Sequence, residues 1–311
     1  MSIVTSHPLV GDHTLARKKR LRADLTLLAV AVIWGSAFVV QRLAAVEVGV
    51  YLFNGLRFLV AALALAPMAI SRRLTDPEMA GVSRKSLPEV ILLGLLLAAG
   101  AALQQAGLKY TTAGNAGFIT GLYVVFIPLF LGLFWRQHVQ RLTWLGALLA
   151  VIGLFMLSTG GRFRLSLGDA LELAGAVFWA LHVILIGRLV QRLDVLQIAV
   201  GQYLVCGLVS LSIGLVLEAQ MLPALIDTWW AVAYTGLISV GLGYTLQAVG
   251  QRVAPPADAA IILSLEAVFA AMAGWLFLDE RLGPVQLLGC GVMLLGMLLA
   301  QSEALASTRG A

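Results

Sequence analysis

The chain has 311 residues, 60% apolar and 12% charged, and a mean hydropathy of +0.94, whereas a water-soluble globular chain is roughly a quarter charged. This excludes water as its main solvent and leaves no room for a separate soluble domain. The net charge of +5 sits at the ends of apolar runs, so it reads as a membrane-topology signal and not as a nucleic-acid footprint.

A bilayer core of about 30 Å needs about 20 mostly apolar residues per helix, and ten such runs follow one another. Residues 1–23 form a polar tail with Arg17, Lys18, Lys19, Arg20 and Arg22, in which no cleaved signal peptide is expected. Span one, Asp24 to Leu43, places Trp34 near its middle, where an indole can wall a cation-tolerant cavity or simply fill space. Span two, Val50 to Ile70, carries Asn54 and Arg57. Both are assigned structural or gating roles, with the Arg57 guanidinium expected to bond loop carbonyls or helix ends and to snorkel outward. A polar connector, Ser71 to Pro88, leads to span three, Glu89 to Leu108, with Gln104 and Gln105 near its end.

Span four, Ala113 to Phe134, opens near Asn115, contains Tyr123, and has the small pair Gly117 and Gly121, a close-packing signal. Span five runs from Arg141 to Thr159. Span six, Gly168 to Gly187, sets Trp179 and His182 three residues apart and so on one helical face. Span seven, Val195 to Leu217, holds Tyr203, and span eight, Asp227 to Gly250, holds Tyr244 and Gln247. Span nine, Asp258 to Leu278, contains Glu266, about 12 Å along the helix from Asp258. A charge at that depth costs at least about 2.5 to 3.5 kcal/mol, so it faces a cavity or a partner. Span ten runs from Pro284 to Gln301. Gly146, Gly153 and Gly160, like Gly289 and Gly296, recur every seven residues and predict close helix contact.

Lys and Arg divide unequally between the two sets of connections. With the amino terminus inside, the inner set holds the five of the tail, Arg72, Arg73, Arg84, Lys85, Arg136, Arg141, Arg188, Arg192, Arg252 and Arg309, while the outer set holds only Lys109, Arg162, Arg164 and Arg281. The positive-inside rule then places both termini in the cytoplasm. Sliding the chain by 143 residues brings Gly100 onto Gly243, Gln104 onto Gln247, Gly107 onto Gly250, Phe126 onto Phe269, Asn115 onto Asp258 and Gly153 onto Gly296. An offset of 145 brings Trp34 onto Trp179. The expected organisation is a tail (1–23), a first five-helix repeat (24–160), a second (161–302) and a C-terminal tail (303–311). Five is odd, so the halves have inverted topology, which in transporters puts the substrate path at the midplane.

The stretches AVIWGSAFV in span one, NGLRFLVAALAL in span two and APPADAAIILSLEAVFAAMAGWLFLDERLGPVQLLGCGVMLLG across spans nine and ten resemble the EamA-type branch of the drug/metabolite transporter superfamily. The resemblance implies an all-helical ten-span fold, and it extends to the YddG-type exporters of aromatic and other neutral amino acids. Some of those have aromatic residues where this chain has Gln104 and Gln105.

The predicted site comprises Trp34, Gln104, Gln105, Tyr123, Trp179, His182, Tyr244, Gln247 and Glu266, with Asn54, Arg57, Asn115 and Asp258 in structural or gating roles. Uncharged donors and acceptors of this kind suit a neutral or zwitterionic solute; singly, each also serves as interhelical glue. No Gly-rich phosphate loop, zinc-binding helix motif or nucleophile elbow is present. Neither an enzyme nor a cofactor is expected, Cys206 and Cys290 lie in apolar runs, and no metal site is expected. The expectation is a secondary transporter of a bacterial cytoplasmic membrane, exporting amino acids by alternating access. Its partners are a small-molecule substrate, the lipid bilayer and a coupling proton or other ion, with no nucleic acid, as a monomer or weak homodimer. A drug, nucleoside or sugar-phosphate carrier is the alternative on the same fold. A membrane-embedded enzyme would have to rest on His182 with Glu266.

Overall fold

The computed structural model describes residues 10–75, 81–136, 141–159 and 166–307, and among these every regular element is a helix. The helices are α1 (Val10–Ala45), α2 (Val50–Thr75), α3 (Leu87–Gly107), α4 (Ala113–Thr120), α5 (Tyr123–Trp135), α6 (Arg141–Thr159) and α7 (Leu167–Leu189). They continue as α8 (Val195–Leu217), α9 (Ala224–Tyr234), a π-helical segment (Thr235–Tyr244), α10 (Thr245–Gly250), α11 (Pro256–Leu263), α12 (Glu266–Leu278) and α13 (Pro284–Ser307). By length and composition eight segments are able to cross a membrane, counting α4 with α5, α9 through α10 and α11 with α12 as single spans. The other two expected spans correspond to α6 and α13, whose described apolar stretches are shorter, Trp144–Gly153 and Pro284–Gly296.

Local chemistry explains the boundaries. Thr112 caps α4 by accepting from the Asn115 N–H, Asp194 caps α8 by accepting from the Gln197 N–H, and Ser166 forms a reciprocal capping box with Asp169 at the start of α7. Asn115 therefore belongs to the first turn of α4 and is not its cap. Asp258 sits likewise in the first turn of α11, behind Pro255 and Pro256. Arg136 and Asp279 end α5 and α12 in the left-handed conformation, at φ 51° and 54°. The helix of α1 begins at Val10, so much of the expected tail is a helical extension of span one. Gly160, Arg162, Arg164 and Arg309 lie outside the described residues.

Spans four and nine are each interrupted. The backbone tightens to three-residue hydrogen bonds at Gly121 and Leu122, where Leu122 N–H donates to Ile119 O, and at Ser264 and Leu265, where Leu265 N–H donates to Ile262 O. The breaks, the helix starts at Tyr123 and Glu266, and the left-handed ends at Arg136 and Asp279 are each 143 residues apart. Span eight is instead wound as a π-helix over Thr235–Tyr244.

The helices alternate between two ends of the molecule. One end is tied by Arg20 to Asp258, Arg72 to Asp194 and Arg192 to Glu89. The other is tied by Glu218, which accepts from the Tyr51 and Leu52 N–H groups at the start of α2, and by Glu280, which accepts from the Ala113 and Gly114 N–H groups at the start of α4. α2 packs on α8 and α6 on α13, while α1 and α7 lie inside against α12 and α3. Glycine makes the α6–α13 approach close: a Cβ on Gly153 would come 2.6 Å from Gly289 O, and one on Gly296 would come 2.7 Å from Gly146 O.

Candidate functional site: a central polar and aromatic cavity

The interrupted and π-wound helices meet in the core. The break at Ser264 and Leu265 makes Glu266 the first residue of α12, and the break at Gly121 and Leu122 makes Tyr123 the first residue of α5. Both side chains line one cavity. Glu266 is 3% exposed, and its Oε1, like the Tyr123 Oη, has no partner of hydrogen-bonding geometry although the two side chains adjoin. A broken span therefore delivers a carboxyl group and a phenol to the interior, where the unbroken run read in the sequence would have given a single helix face.

Tyr244 ends the π-helical segment and stands at the centre of an aromatic wall. Its ring centroid lies 4.6 Å from that of Trp34, 6.0 Å from Trp179 in a stacked arrangement, and 5.8 Å from His182 edge-on. The π winding displaces backbone carbonyls from their usual partners, and side chains take them up: Trp34 Nε1 donates to Ser239 O at 3.0 Å and Tyr203 Oη donates to Val240 O at 3.1 Å. His182 Nε2 lies within hydrogen-bonding distance of Gln202 Oε1, at 2.8 Å, and its Nδ1 has no partner.

Arg57 does not snorkel. It is 3% exposed and turns inward, with Nη1 donating to Gln41 Oε1 at 2.6 Å and the guanidinium 5.2 Å from the ring centres of both Phe53 and Phe58. Two aromatic faces and one amide acceptor substitute for water around the cation. Its Nε remains without a partner, and Arg57 lines the same cavity as Glu266.

Of the residues predicted from sequence, Trp34, Gln104, Tyr123, Trp179, His182, Tyr244, Gln247 and Glu266 line this cavity. Gln105 does not: its Nε2 donates to Gln41 O at 3.1 Å, bridging α3 to α1. Asn54 is fully buried in α2 away from the lining, and Asn115 and Asp258 stand at opposite ends of the molecule. The cavity also takes in Phe38, Gln41, Thr120, Val183 and Ser239, which sequence reasoning passed over. Gln41 and Thr120 were legible only as polar residues one turn from apolar runs, and Ser239 contributes through a backbone carbonyl that no side-chain pattern announces.

The space open to the centres of water-sized molecules is about 30 Å³, room for about two waters. A space of this size holds water and no organic solute. Among the described residues no group of three or more His, Cys, Asp or Glu is arranged to hold a metal ion.

Comparison with known proteins fits this geometry. The sequence model of the EamA-like transporter family matches the chain twice, over residues 21–159 and 166–301. An uncharacterized transporter of Archaeoglobus fulgidus is 31% identical over 281 residues, covering 90% of this chain and 86% of that protein. The threonine/homoserine exporter RhtA of Escherichia coli is 29% identical over 175 residues, 54% of this chain and 56% of the exporter. A protein of known crystal structure, 18% identical, superposes with a TM-score of 0.72 over 90% of this chain and 96% of its own, a likeness of fold alone. With two family matches spanning the helical core, the chain belongs to the EamA-like transporter family and is a multi-pass membrane transporter.

Proposed function

We propose that the protein is a secondary transporter that exports zwitterionic amino acids from a bacterial cytoplasm. The observation that carries this reading is the pairing, in one aromatic-walled cavity, of a single carboxyl group, Glu266, with a single guanidinium, Arg57. An α-ammonium group placed at Glu266 and an α-carboxylate at Arg57 would span Tyr244, leaving the substrate side chain against Trp34 and Trp179. Gln104, Gln247 and His182 supply uncharged donors and acceptors around it. A sugar phosphate would call for two or more cavity cations, and Arg57 is the one cation in the lining.

In this reading α1 to α6 and α7 to α13 are two five-span halves of inverted topology, divided near residue 160, with both termini cytoplasmic. The contracted cavity is an intermediate of alternating access. The protein works as a monomer or weak homodimer, and it is a carrier and not an enzyme. The sharing of sequence with RhtA over half the chain supports amino acids as the first substrates to try.

The experiment is flux in proteoliposomes with a panel of radiolabelled amino acids. Movement faster than through empty vesicles, abolished by Glu266→Gln, is the expected result. A panel that moves no faster than through empty vesicles overturns the amino-acid reading.

A further inference from the structure

Glu172 lies in the second turn of α7, fully buried, outside the cavity lining. Its Oε2 accepts from Thr120 Oγ1 at 3.0 Å, and Thr120 Oγ1 accepts from Gln104 Nε2 at 3.2 Å. Thr120 and Gln104 both line the cavity. A three-residue chain thus joins the cavity wall to a carboxyl group whose other oxygen, Oε1, has no partner. One turn nearer the end of the helix, Asp169 accepts from Thr111 Oγ1 at 2.8 Å and is 8% exposed. Carboxyl groups therefore run from the end of the molecule inward to the cavity.

Among the described residues, what faces Glu172 is acidic or neutral. α3 presents Gly107 and, through Thr120, the amide of Gln104; α4 presents Thr120; α12 presents Glu266; α7 itself presents Asp169. Among the described residues no cation pairs with it, and the guanidinium of Arg42, at that end, is committed to Leu108 O. A carboxylate buried with one hydrogen bond and no cation costs several kcal/mol. The neutral acid, with a proton on Oε1, costs far less.

The repeat supplies a control for packing. Gly107 and Gly250 correspond at the 143-residue offset, and Glu172 and Leu27 at the 145-residue offset. A Cβ on Gly107 would meet Glu172 Oε1 at 2.8 Å and Cγ at 2.9 Å, while one on Gly250 would meet Leu27 Cγ at 2.7 Å and Cδ2 at 2.8 Å. The counterpart of Thr120 is Leu263. The same slot on the same kind of glycine is thus filled by leucine in one half and by glutamate in the other, so packing does not demand the carboxyl group. Among the described residues the counterpart slot, with Leu27 and Leu263, carries no such polar chain.

We infer that Glu172 is a proton-binding site that couples substrate movement to protons entering from the end of the molecule where α7 begins. A proton from water at that end forms the O–H bond at Glu172 Oε1. On release that bond breaks and the proton passes to cavity water or to the Glu266 carboxylate. Thr120 is the shared element: a substrate group that donates to its oxygen in place of Gln104 strengthens the hydrogen bond that Thr120 gives the Glu172 carboxylate, so cavity occupancy and proton occupancy oppose each other. This rests on the export reading for its substrate, but the proton site is testable without one.

The test uses the full chain. Infrared difference spectra of protein films between acid and alkaline buffer, in H2O and D2O, are expected to contain a buried carboxylic-acid band that Glu172→Gln and Glu172→Leu remove and Glu266→Gln leaves. Thermal unfolding of Glu172→Leu near that of the wild type is expected from the Leu27 precedent and excludes misfolding. In proteoliposomes with an imposed pH gradient and threonine and phenylalanine as probes, Glu172→Gln is expected to lose gradient-driven accumulation by about tenfold or more, with partial rescue by Glu172→Asp. A carboxylic-acid spectrum unchanged by Glu172→Gln, or accumulation close to wild type in that variant, overturns the inference. If the band depends on Glu172 and no panel amino acid moves, the substrate reading fails and the proton site stands.

Discussion

Trp34 and Gly243 meet face to face across the two halves of the chain: a Cβ built on Gly243 would come 2.6 Å from the indole Nε1, the atom that donates to Ser239 O. Trp179 and Gly100 repeat the arrangement in the other direction, with the corresponding approach at 3.1 Å. Each half thus places its tryptophan on a glycine of the other, and the two indoles close on Tyr244 from both sides. Gly243→Ala should push the Trp34 ring off its carbonyl. Overpacking of this kind costs about 1 to 3 kcal/mol, and the lost hydrogen bond about 0.5 to 1.5 kcal/mol. Gly100→Ala, with more room, should cost less. Thermal unfolding of the two variants in detergent measures the order, and equal effects would contradict the geometry.

Glu280 ties the second half of the chain to the first by accepting from two N–H groups at the start of α4, both at 3.2 Å. Those groups have no partner within the helix. Glu280→Ala should therefore lower stability by about 1 to 2 kcal/mol, as the loss of a helix cap does, with Glu280→Gln retaining part through its amide oxygen. Glu218→Ala, which removes the acceptor for Tyr51 and Leu52 at the start of α2, should behave alike. Unfolding midpoints in denaturant, compared at constant slope, read both.

At the opposite end Arg20 holds Asp24 and Asp258 together, each at 2.9 Å and each pair only partly exposed. Asp24 belongs to the span that opens the first half and Asp258 to the broken span of the second, so the pair bridges the elements that must part if the cavity opens there. Asp258→Asn should favour that opening. A cysteine at Val183, in the cavity lining, on a Cys290→Ser background, should then react with a water-soluble maleimide added to that side several-fold faster than in the same protein with Asp258 intact. Cys206 is fully buried and contributes little background. An unchanged rate would mean that the Arg20 bridge does not govern access.

Much of this architecture is written in hydropathy, because a bilayer imposes a length on every helix. The register between halves is legible too: Gly100, Gln104 and Gly107 recur as Gly243, Gln247 and Gly250, and the helix starts obey the same spacing. The interruptions after Thr120 and Leu263 are not legible, since GLY and SLE read as unremarkable members of apolar runs and the break is a matter of a few backbone angles. Arg57 was misplaced because its depth in span two permits either snorkelling or burial, and only the positions of Gln41, Phe53 and Phe58 decide. Glu172 escaped notice because it lies close to a helix start, where a carboxyl is ordinarily solvated. The signal that exposes it is the repeat, which sets it opposite Leu27.

The same burial gives the proposed role of Arg57 a test. Its Nη1 is occupied by Gln41, and the remaining face of the planar fork can receive a carboxylate by two parallel bonds, which a lysine ammonium cannot reproduce. Arg57→Lys keeps the charge and loses the fork. For an amino acid whose carboxylate docks there, the variant should raise the half-saturating concentration about tenfold, the worth of one charge-assisted hydrogen bond. For the corresponding amino acid amide, which presents no carboxylate, it should change little. The ratio between acid and amide, measured by competition against a labelled substrate in proteoliposomes, therefore falls toward one in Arg57→Lys if Arg57 binds the carboxylate. If both compounds weaken equally, Arg57 shapes the cavity through Gln41 and the phenylalanines without touching substrate.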